Sequence, residues 1–225
     1  MGEMKRLARP DGGALDVYHT GMDPHRPSVI VLQEWWGLND QVKATVDRLG
    51  TAGFNAVAPD LYHGRVIGYD HGDEASHAMD GLDFPGAVDE DIAATLAWLK
   101  TINGEVAVMG YCMGGALTIA SAARLQGFGA AVCYYGVPPR AFADPADIQC
   151  PFQGHFGSQD DWVSPAVVAG IKADMEAAGH APEIFSYDAD HAFCNTARPE
   201  VYKRDAAELA MTRTIAFLKA NLSNL

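Results

Sequence analysis

Short β-rich runs alternate with stretches of helical periodicity along most of the chain, and this alternation constrains the fold most. Strands are expected at LDVYHT (15–20), PSVIVLQ (27–33), FNAVAPD (54–60), EVAVMG (105–110), AAVCYYG (130–136), CPFQGHFG (150–157) and PEIFSYD (182–188). Several are continuous apolar runs, the pattern of strands covered on both faces. Between them lie helical patterns: QVKATVDRLGTAG, AVDEDIAATLAWLK, MGGALTIASAARL, SPAVVAGIKADMEAAG and the stretch from Pro199 to Leu222. Strand–helix alternation builds βαβ units, whose right-handed crossovers put helices on both faces of the sheet. The expected architecture is a single α/β domain over residues 1–225, with a mainly parallel sheet of about seven or eight strands.

Residues 62–86, YHGRVIGYDHGDEASHAMDGLDFPG, break the alternation. They are rich in Gly, Asp and His and show little periodicity, which suggests a lid-like loop. His63, Asp70, His71, Asp73 and His77 raise the question of a metal, but their spacing matches no ligand signature, so none is expected.

Ligands of parallel α/β sheets bind beyond the C-terminal strand ends. After PSVIVLQ come Glu34, Trp35 and Trp36; after EVAVMG come Tyr111 and Cys112. After CPFQGHFG comes Asp160, and after PEIFSYD comes His191. A thiol, an imidazole and two carboxylates on one edge are the groups nucleophilic acyl transfer requires. G-x-C-x-G at 110–114, then an acid, then a histidine, follows the chain order of strand-to-helix nucleophile turns. Small residues at 110, 114 and 115 permit the sharp bend, and a helix starting at Met113 directs N–H groups at the thiol. His191 can pair with a thiolate and later donate a proton, while Asp160 orients the imidazole. The N–H groups of Trp35 and Met113 are the natural oxyanion donors. Asp161, Asp188 and Asp190 are nearby rivals for Asp160, and His155 for His191. Cys133 and Cys150 lie inside strand runs and read as core.

Taken together, QEWWGLN, APDLY, GYCMGG, YYG, HFGSQDDWV and YDADHAF resemble the dienelactone hydrolase family of α/β-hydrolases across nearly the whole chain. The resemblance implies that fold, and a Cys112–His191–Asp160 triad acting on lactones or esters through an acyl-thioester. It also implies that Glu34 takes the thiol proton when substrate binds, and that Tyr134 is the tyrosine near the site. The family carries an arginine four residues after the histidine to grip a substrate carboxylate; Asn195 stands there. Arg65, with a one-residue shift, is the candidate for the family's other carboxylate-binding arginine. Trp36, Phe193 and Asn195 complete the expected substrate contacts.

Composition narrows the alternatives. A formal net charge of −13 disfavours nucleic acid and anionic membranes as partners. The N-terminal stretch lacks an apolar signal region, and no apolar run is long enough to span a membrane. Four cysteines without a CxxC pair fit reduced thiols, hence a cytoplasmic protein. No cofactor is expected, and either a monomer or a homodimer is compatible. A thiol redox or acyl-carrier protein using the same cysteine, or a non-catalytic binding module, are the competing readings.

Overall fold

The computed structural model describes residues 2–222. Its strands are β1 (Glu3–Ala8), β2 (Ala14–His19), β3 (Ser28–Leu32), β4 (Asn55–Pro59), β5 (Val106–Tyr111), β6 (Ala130–Tyr134), β7 (Phe152–Gly157) and β8 (Glu183–Tyr187). They form one eight-stranded sheet in the order β1-β2-β4-β3-β5-β6-β7-β8. β1 and β2 pair antiparallel, as do β2 and β4; from β4 to β8 every pairing is parallel. The sequence did not signal β1: only Leu7 of EMKRLA is buried, so this outer strand carries no apolar alternation.

The helices are α1 (Asp40–Thr51), α2 (Gly72–Asp80), α3 (Phe84–Gly86), α4 (Ala93–Lys100), α5 (Met113–Arg124), α6 (Pro165–Ala177) and α7 (Arg204–Asn221). A π-helical turn, Ala87–Ile92, joins α3 to α4. Two termini follow from local chemistry: the Asn39 side chain accepts from Val42 N–H, and Ser164 caps α6 just ahead of Pro165.

Every residue of β3 to β7 is buried. Side chains alternate across the pleat, so both faces must be apolar. Ile30, Leu32 and Val108 join Leu117, Ile119, Val168 and Ile171 in one core layer. Val29, Val31, Ala107 and Met109 join Val42, Val46, Met211 and Phe217 in the other. This is why the strands read as unbroken apolar runs. Each fully buried aliphatic side chain contributes ~1.5–3 kcal/mol, so the layers hold the strand ends rigidly.

Two expectations need correction. Residues 62–86 are not irregular throughout, because α2 and α3 lie inside them. α2 has one buried residue, Ala75, and no side-chain cap, so it left no periodic signal. The last helix starts at Arg204, not Pro199. Residues 192–203 instead form turns that end where Lys203 N–H meets the Phe193 carbonyl at 3.0 Å.

Candidate active site

β5 ends at Tyr111 and α5 starts at Met113, leaving Cys112 alone in the turn. Cys112 adopts φ +55°, a left-handed backbone that costs a residue with a Cβ. Its N–H donates to the Tyr134 carbonyl at 3.0 Å, tying the turn to β6. A Cβ on Gly110 would strike the Gly114 carbonyl, and one on Gly114 would strike the Leu32 and Gln33 carbonyls. Without those side chains, α5 begins directly against the end of β3. Met113 N–H, in the first turn of α5, has no helical acceptor. Trp35 N–H makes no backbone hydrogen bond among the described residues.

His191 follows β8. Its Nδ1 lies 2.7 Å from Asp160 Oδ2, and Asp160 is only 2% exposed. The other Asp160 oxygen accepts from the N–H groups of Trp162 and Val163, both at 2.8 Å. Burial alone would raise this carboxyl, but the bond and charge of His191, helped by the two N–H groups, hold it below its usual value. Burial disfavours the His191 cation, yet Asp160 and the facing Cys112 sulfur push its pKa up to about 10. His191 Nε2 is buried and has no conventional hydrogen-bond partner, leaving it available to the thiol.

Glu34 leaves the end of β3 and is buried. Its Oε2 accepts from Asn195 Nδ2 at 2.6 Å and its Oε1 from Tyr135 OH at 3.3 Å. Burial pushes its pKa up, only partly opposed by Asn195, His191, Tyr135 and Arg198. A cavity of about 300 Å³ brings Glu34, Trp35, Trp36, Cys112, His191 and Arg198 together.

Four expected substrate contacts lie elsewhere. Tyr134 is fully buried with its hydroxyl 2.7 Å from Thr214 Oγ1, behind the site. Its neighbour Tyr135 faces the site, with φ +38° and its ring 5.1 Å from that of His191. β6 ends at Tyr134, and the left-handed bend at Tyr135 turns the second tyrosine of YYG toward the site instead of the first. Phe193 is fully buried against Tyr135 and Tyr187. Asn195 bonds Glu34 rather than opening onto the cavity. Arg65 pairs with Glu74 at 2.9 Å and lines a separate cavity with Arg9, Tyr62, His63 and Asp91.

His155 sits in a buried network with Tyr187, Gln153 and Thr214 and stays neutral, its pKa lowered to about 3 by burial and by Arg213. Among the described residues, no group of three or more His, Cys, Asp or Glu side chains is placed to hold a metal. No described helix is long and apolar enough to cross a membrane.

Besides Tyr135, two residues at the cavity carried no expectation from the sequence. Arg198 opens onto the cavity seven residues after His191 in a turn that carries no motif. Trp162 is 59% exposed, and its ring stacks on His191 at 5.6 Å and 24°. A large apolar side chain beside Asp160 in a loop was the available signal.

Residues 15–222 match the dienelactone hydrolase family. The chain belongs to this family. It is 33% identical over 204 residues to a carboxymethylenebutenolidase of Pseudomonas sp. strain P51, covering 86% of this chain and 84% of the relative. It is 32% identical over 208 residues to protein usf of Aquifex pyrophilus, covering 88% and 89%. A dienelactone hydrolase-like promiscuous phosphotriesterase from metagenomic libraries superposes with a TM-score of 0.84 at 20% identity, covering 99% of each chain. The fold is thus the α/β-hydrolase fold, and this family member is a carboxylic ester or lactone hydrolase.

Proposed function

We propose that this hydrolase works through Cys112 as a covalent nucleophile. The observation that carries this reading is the His191 imidazole, fixed at Nδ1 by Asp160 with Nε2 free toward the strained Cys112 turn. Glu34 accepts the thiol proton as substrate enters; its hold on Asn195 and Tyr135 is the resting position. The sulfur attacks the ester carbonyl, and the oxyanion is received by the N–H groups of Trp35 and Met113. The C–O bond breaks, His191 gives its proton to the departing oxygen, and an acyl-thioester remains. Water then attacks the thioester, losing its proton to His191; the C–S bond breaks, the acid leaves, and Glu34 returns its proton to the sulfur. Residues 62–86 cover the site, docked on Trp36 through Ile67 and Ala75.

Arg198 supports an anionic group on the substrate. It lines the Cys112 cavity with its guanidinium 5.9 Å from the Trp36 ring. Its Nε pairs with Glu200 at 2.7 Å, which leaves the terminal guanidinium nitrogens to offer a substrate anion the charge that Asn195 lacks. Replacing Cys112 by Ala tests the reading. The expected loss of kcat/KM toward small lactones and aryl esters is at least about ten-thousandfold; full retained activity would refute a cysteine nucleophile.

A further inference from the structure

Cys112 and His191 also open onto a second chamber, of about 400 Å³. The first chamber carries Glu34, Asp161, Asp190 and Arg198. The second is walled by Met79, Phe84, Met113, Val137, Pro139 and Val163, with Asp80 its one carboxylate. Its walls come from α2, α3, α5 and the loops after β6 and β7, so the fold assembles it from separate segments. Trp162 borders both chambers, stacked on His191 and edge-on to Trp35 at 5.3 Å. The lining of the second chamber offers no Lys or Arg to a substrate carboxylate. Apolar walls left open to water beside a nucleophile are favourable only when an apolar ligand covers them. The space exceeds the ~150 Å³ that holds one benzene ring.

We propose that the enzyme takes esters or lactones bearing an extended apolar arm, which lies in this chamber while the carbonyl meets Cys112. The proposal rests on the hydrolase reading above and adds the class of substrate. Trp162 divides the two sides, keeping the apolar arm apart from the charged chamber.

Two ester series test it. One lengthens the acyl chain of methyl esters from acetate to octanoate. The other lengthens the alcohol of acetate esters from methyl to octyl. In the series whose arm enters the chamber, kcat/KM should rise about two- to fourfold per methylene before levelling. Val137→Trp, which narrows the chamber, should flatten that rise; Met79→Trp on α2 serves if the first variant fails to fold. Binding of methyl ketones of increasing chain length, followed by calorimetry, gives a readout independent of hydrolysis. Their Kd should fall with chain length in the native protein and much less in the narrowed variant. A flat profile in both ester series, with ketone affinity indifferent to chain length, overturns the proposal. Length-dependent ketone binding without ester turnover would support the chamber while removing the hydrolytic reading.

Discussion

Asn195 donates to Glu34 Oε2 across 2.6 Å, and both side chains are buried. The amide gives the carboxylate a hydrogen bond but no compensating charge. Burial therefore dominates, and Glu34 holds its proton more tightly than an exposed glutamate. A proton acceptor for the thiol benefits from that raised affinity.

The same feature makes Glu34 a source of instability at neutral pH. A carboxyl raised by folding favours the fold below its unfolded value, and that contribution disappears as pH rises through the folded value. Glu34→Gln keeps the shape and can still bond Asn195 and Tyr135. It should raise Tm at pH 7 by about 2–4 °C for each kcal/mol recovered, while lowering kcat. Thermal melts from pH 4 to 8 should show the gain shrinking toward acid.

Asn195→Ala removes the donor and leaves Glu34 less satisfied. The acid limb of kcat/KM should move to higher pH, and stability should fall by ~1–3 kcal/mol. A pH–rate profile with an unmoved acid limb would separate Asn195 from the chemistry.

Asp160→Asn withdraws the partner that lifts His191. Activity should drop about a thousand- to ten-thousandfold. Histidine titration by NMR should show His191 losing its proton below its present value of about 10. The linked stability has a defined sign. In the native protein the raised His191 favours the fold fully below about 6.5 and ceases to as pH climbs through about 10. The Asn variant should lack that alkaline decline.

Arg198→Gln should raise KM for carboxylated lactones about ten- to a hundredfold, the scale of a lost charged hydrogen bond. Uncharged esters should change much less. Equal effects on both would show that Arg198 acts by packing on Trp36 rather than by its charge.

The strands and the turn at Cys112 were legible because sheet burial and a sharp bend each demand residue types over a short span. Asp160 and His191 were candidates because they lie just beyond the ends of β7 and β8, whose positions apolar runs reveal. Side-chain direction was not. Tyr134 and Tyr135 are adjacent, and the bend that ends β6, with φ +38° at Tyr135, decides which one faces the site. Asn195 was visible as a departure from the family pattern, but its grip on Glu34 depends on a turn between β8 and α7. Arg198 enters the cavity through the same turn, which has no periodicity to read. β1 and α2 stayed hidden because each buries a single residue.

Covalent chemistry at Cys112 is open to intact-mass analysis of enzyme quenched during turnover of a slow ester, followed by peptide mapping. The expected result is one acyl adduct on the peptide containing Cys112, absent from Cys112→Ala. An adduct on another residue, or undiminished turnover by Cys112→Ala, would contradict it.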